Sequence, residues 1–176
     1  HLIPMHPQEW KFLRMRPSNF PTARIAQFAA LFHHVTNFCA AIVETKSFQD
    51  VERLFSEVET SAYWFDHYRF DQKAKVKSKS LSVNFTHHLI INCFAIIAYA
   101  YGVYHGMPIL QDRAIAWLEN LPPEDNSMVR KFADHGLQAE HAGDTQALLH
   151  LHASYCSGKQ CMSCAIGYSI MNTRGR

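Results

Sequence analysis

Three cysteines near the end of the sequence have the types and spacing to do chemistry: Cys156, Cys161 and Cys164, inside YCSGKQCMSCAIG. They form a C-x4-C-x2-C array that takes in three of the chain's five cysteines. Thiolate sulfur binds zinc or an iron–sulfur cluster, so the array is a partial ligand set for either. His152 stands four residues before Cys156, and a helix would put both on one face. The extended pattern H-x3-C-x4-C-x2-C then suits tetrahedral zinc. Two other readings stay open. Cysteine is also a small buried hydrophobe, and packing with free thiols accounts for the spacing most simply. A thiol beside Lys159 can also support redox or nucleophilic chemistry, although spacing fixes no base next to it.

A second group lies in RMRPSNFPTARIAQ, where Arg14, Arg16 and Arg24 accompany Asn19. An arginine fork grips phosphate or carboxylate, so an anion or phosphate site is one reading. The other is structural, with the arginines tying the N-terminal segment to the body of the fold. Asn92 falls in an apolar run and needs a hydrogen-bond partner wherever it is buried. Glu124 and Asn126 stand where they would cap or anchor the following helix. The adjacent pairs His33–His34 and His87–His88 do not make an HExxH site. No phosphate-binding glycine loop, dinucleotide fingerprint or nucleophile elbow occurs, and no catalytic residue is assigned.

These residues need elements to hold them. The chain has 176 residues, 48% of them apolar, with twelve Phe, enough for one folded domain with a core. The formal charge of +2 gives no general drive toward nucleic acid or a membrane surface. Five cysteines do not make a disulfide scaffold. The opening HLIPMHPQEW lacks the apolar run of a signal peptide, so the expected compartment is the cytoplasm.

Pro17 and Pro21 predict an extended segment over residues 1–22, with Thr22 as the cap of a first helix. Ile25, Phe28, Phe32, Val35, Cys39 and Ile42 then recur at helical spacing and predict one apolar face across 23–43. Ser47 caps a second helix with Val51, Leu54, Phe55 and Val58 on its apolar side. SAYWFDHYRF reads as a short helix or an irregular packed segment, and KAKVKSKSLS as a solvated strand or loop. From Asn84 to about Tyr104 the sequence is apolar nearly all round, which predicts a central buried helix rather than a membrane span. Gly106 and Gly136 are helix stops, and Gly143 with Asp144 introduces TQALLHLHASYC. The expected fold is all-α: a single domain over 1–176, an irregular bundle of six or seven helices around the central apolar one.

RMRPSNFPTARIAQFAAL, SVNFTHHLIINCFAIIAYAYG, TQALLHLHASYC and KQCMSCAIG together resemble the C-terminal half of an uncharacterised family, found largely in Bacteroidota and catalogued as domain of unknown function 2851. The resemblance runs from Arg14 to Gly167 and includes Asn92, Gln146 and the three cysteines. It assigns no function to any position, and Gln146 is taken as a structural polar residue. It implies a longer parent whose N-terminal half has an acidic, histidine-containing segment. This chain would then be a fragment, and the missing half its first partner. The position of His152 varies in the family pattern, which weakens it as the fourth ligand. The expected function is a noncatalytic helical accessory or interaction domain. One alternative is a metal-supported nucleic-acid-binding or nucleic-acid-processing module, with the cysteines ordering the terminal helices and Arg14 to Arg24 contacting phosphate. The other is a thiol-dependent enzyme.

Overall fold

Pro21, Asn37, Ser47 and Ser82 set the helix starts in the first half of the chain. A computed structural model describes Ile3, residues 5–76 and residues 80–173. The chain divides into two units, His1–Ala98 and Tyr99–Arg176. In the first, 3-10 turns at Pro7–Glu9 and Pro17–Asn19 lead to α1, Pro21–His34. Pro21 occupies the first helical turn, where a missing N–H costs nothing. Phe20, not Thr22, takes the cap position; Thr22 is buried inside α1 and its hydroxyl donates to the Tyr68 carbonyl.

The helix expected across 23–43 is two helices. Val35 leaves helical geometry (φ −106°, ψ 92°), and Asn37 caps α2, Phe38–Glu44, by accepting from the Ala40 N–H at 3.0 Å. The two axes differ by 67°. A short amide side chain offering the backbone a non-helical partner, just after β-branched Val35 and Thr36, accounts for the break. α3, Phe48–Ser56, starts with a reciprocal box: Ser47 Oγ accepts from the Asp50 N–H and Asp50 accepts from the Ser47 N–H. The Ser47 hydroxyl, foremost among its neighbours, holds the Asp50 carboxyl below its ordinary value.

A 3-10 turn at Ala62–Phe65 and a hairpin of β1 (His67–Arg69) and β2 (Gln72–Lys73) follow, with Asp71 at φ 56° in the turn. That hairpin is the sole β pairing among the described residues. Of the lysine run, Lys77 and Lys79 lie outside the described residues.

Ser82 caps α4, Val83–Leu89, which continues through a π turn at Ile90–Phe94 into α5, Ala95–Tyr104. This run is one long, partly buried helix: Ile90, Ile91, Phe94, Ala95 and Ala98 are buried, whereas Ile96, Ile97 and Val103 are exposed. All-round apolar character therefore does not mean all-round burial here. By length and composition alone it could cross a membrane, a test that core helices also pass, and 33% of its apolar window is buried. In the first unit, buried Phe55 of α3 meets the run, edge-on to Phe94 with ring centroids 5.6 Å apart. His87 Nε2 lies 2.9 Å from Glu52 Oε1 on the same pair of helices.

The second unit holds α6 (Pro108–Glu119), α7 (Ser127–Asp134), α8 (Ala142–Leu151) and α9 (Ala165–Thr173). Gly106 at φ 62° and Gly136 at φ 86° stop α5 and α7, the left-handed geometry that favours glycine. Asn126 caps α7 by accepting from the Met128 and Val129 N–H groups. His141 and Asp144 make the box that starts α8, so Gly143 sits within the helix. Leu110, Ala114 and Trp117 of α6, with Leu121, Ala142 and Thr145, form this unit's core. The all-α expectation holds.

Candidate functional site: an open apolar cavity

The cysteine array forms a corner between two helices. α8 ends in a π turn, His152–Cys156, a wider winding in which residues four apart still lie near one face. Backbone hydrogen bonds fold the next residues back: Lys159 N–H to the Cys156 carbonyl, and Gln160 N–H to the Tyr155 carbonyl. Lys159 takes φ 51°. Cys161–Ser163 is a 3-10 turn that delivers Cys164 to the start of α9. Cys156 and Cys161 are exposed and Cys164 is buried. Among the described residues no group of three or more His, Cys, Asp or Glu is arranged to hold a metal.

What the corner does show is close backbone packing. A Cβ on Gly167 would stand 2.5 Å from the Cys161 carbonyl oxygen and 3.0 Å from its Cα. Gly167→Ala is therefore expected to lower stability by about 1–3 kcal/mol and to speed alkylation of Cys164. Thermal unfolding and thiol labelling would check this; an unchanged melting temperature with Cys164 still protected would refute it.

The arginines separate. Arg14, with φ 60°, and Arg16 are exposed in the N-terminal segment. Arg24 is half-buried on α1, donating to Asn19 Oδ1 at 2.7 Å and to Gln27 Oε1 at 2.9 Å, with its guanidinium 3.6 Å above the Phe85 ring. Burial pushes its pKa down. Among the other polar residues, Asn92 is exposed and donates to the His88 carbonyl of its own helix at 3.1 Å. Glu124 accepts a short hydrogen bond from the Gln146 amide in the second unit.

Arg24 also lines an open cavity of about 620 Å³ in the first unit. α1 supplies Phe28, Leu31 and Phe32 to it, and α2 supplies Phe38 and Ile42. Phe85, Leu89 and Cys93 come from α4 and the π turn, and Phe55 with Phe94 closes the floor. Phe28, Phe32 and Phe38 pack at tilted angles across the α1–α2 break, with ring centroids 4.4 and 4.7 Å apart. Arg24 and Gln27 are the polar side chains of the lining, which contains one thiol and no carboxylate, imidazole or hydroxyl group.

Sequence reasoning grouped Ile25, Phe28 and Phe32 on one face but missed what that face does. They are 52%, 60% and 51% exposed, while the side of α1 turned into the protein carries Ala23, Ala26 and Leu31. The signal was present in side-chain size: the large residues follow one spacing and the small ones another. Small residues let helices approach closely, and large ones on the other side leave a wall without a partner.

Neither a curated protein nor a solved structure matches the chain. A family model described as "Protein of unknown function (DUF2851)" matches residues 1–127, a stretch that includes the cavity and the arginines and stops before the cysteine array. With most of its length matched, the chain belongs to that family.

Proposed function

We propose that this chain is a noncatalytic helical accessory domain that takes an apolar group of a partner into the cavity of its first unit. The observation that carries this reading is the lining. Twelve phenylalanine, leucine and isoleucine side chains surround the recess against Arg24, Gln27 and one thiol, and general acid–base or nucleophilic chemistry needs more reactive groups than these within reach. Cys93 lies on the wall without a base beside it in the lining. Concave, apolar sites with a few placed polar groups are the ordinary form of a binding pocket.

The test is titration with N-phenyl-1-naphthylamine, a neutral apolar fluorophore. Saturable, one-to-one binding with blue-shifted emission is expected. Cys93 is exposed on the cavity wall, so Cys93→Phe should fill the recess while leaving the melting temperature near its original value. That variant should bind the fluorophore at least ~10-fold more weakly. Non-saturating binding, or binding indifferent to Cys93→Phe, would overturn the reading.

A further inference from the structure

We propose that the cavity binds a single-headed anionic amphiphile, its hydrocarbon body among the phenylalanines and its carboxylate on the Arg24 guanidinium. This rests on the reading of the cavity as a binding site and names the class of ligand. The volume of about 620 Å³ lies within the roughly 300–1,000 Å³ of pockets that hold small organic molecules. Phe28, Phe32 and Phe38 offer a continuous aromatic wall, against which a methylene chain loses water-exposed area along its whole length.

Arg24 sets the polar end. Among the described residues its hydrogen bonds go to neutral amide oxygens, those of Asn19 and Gln27, and no carboxylate pairs with it. Those bonds and the Phe85 ring hold the plane of the guanidinium still. A guanidinium has five N–H donors, so donors remain for a carboxylate fork. A cation held partly out of water without a counter-charge gains most from an anion that arrives with its own apolar body. One cation matches one head group. An extended peptide fits the recess less well, because its N–H and C=O groups would find almost no partners in this lining.

Displacement of N-phenyl-1-naphthylamine from the full 176-residue chain tests this. Dodecanoate, dodecan-1-ol and dodecyltrimethylammonium share one tail length and differ at the head. At pH 8 and below their micelle concentrations, dodecanoate should displace the fluorophore at least ~10-fold more tightly than the alcohol, and the cation should be weakest. In Arg24→Met, dodecanoate and dodecan-1-ol should become equal while the fluorophore still binds. Arg24→Lys, which keeps charge but not the fork, should retain part of the preference and serves if Arg24→Met does not fold. Equal displacement by dodecanoate and the alcohol in the unsubstituted chain, or a preference that survives Arg24→Met, would overturn the proposal. Failure of the fluorophore to bind defeats the binding reading as well; fluorophore binding without carboxylate preference defeats only the ligand class.

Discussion

Phe55→Ala is expected to cost the first unit about 3–5 kcal/mol, among the largest losses that any single substitution in this chain should cause. Phe55 is 2% exposed, on the inward face of α3, with its ring edge-on to Phe94 at 5.6 Å. Truncation removes an aromatic side chain from water-free packing and leaves a void. That void opens into the cavity already present, because Phe55 forms part of its floor. Neighbours cannot close it cheaply, since Phe94 is held within a helical run. Urea denaturation should show a lower midpoint with little change in slope. Phe55→Leu, which keeps most of the volume, should cost less than about 1.5 kcal/mol. A loss below about 1 kcal/mol for the alanine variant would mean that α3 is not packed as described.

Trp117→Ala should have an effect of similar size in the second unit, about 3–5 kcal/mol. Trp117 is 1% exposed, on the face of α6 that carries Leu110 and Ala114. α6 packs with α8, and the Ala142 N–H at the start of α8 donates to the Leu121 carbonyl just beyond α6 at 2.9 Å. Loss of the indole should therefore loosen both helices. Hydrogen exchange followed by mass spectrometry should show faster exchange in peptides from α6 and α8. Trp117→Phe should recover part of the protection. Unchanged exchange there in the alanine variant would contradict the packing of this core.

The cavity gives these two substitutions different functional consequences. Phe55→Ala alters a residue of the cavity lining, so fluorophore binding should change along with stability. Trp117 contributes nothing to that lining. Comparing the two variants at a temperature where both remain folded separates an effect on the recess from a general loss of stability.

Much of the local structure was legible in the residues. Ser47 and Asn126 cap the helices they precede, and Gly106 and Gly136 end theirs, because a cap or a left-handed turn is settled by atoms a few residues away. The all-α class followed from the same short-range rules together with helical spacing. The break at Val35 was harder to see, since apolar spacing runs straight through it. Asn37 was the available signal, a cap residue in the middle of what looked like one face.

The cysteine array shows where spacing stops being informative. His152 and Cys156 are four apart and fall in one π turn, yet among the described residues they join no group of three or more His, Cys, Asp or Glu arranged to hold a metal. Gly167 explains more of the corner than any thiol does, through backbone contact that no motif encodes.

The amino-acid sequence by itself determined the helical class, most helix ends and the surplus of large apolar side chains, because these depend on residues close together in the chain. Only the tertiary structure decided that Phe28 and Phe32 face an open recess while Ala23 and Ala26 face the protein, and that Arg24 stands at the rim of that recess. A phenylalanine is equally apolar in a core and on a cavity wall. Which of the two it occupies depends on how α1, α2 and the α4–α5 run pack, and packing is set by residues far apart in sequence.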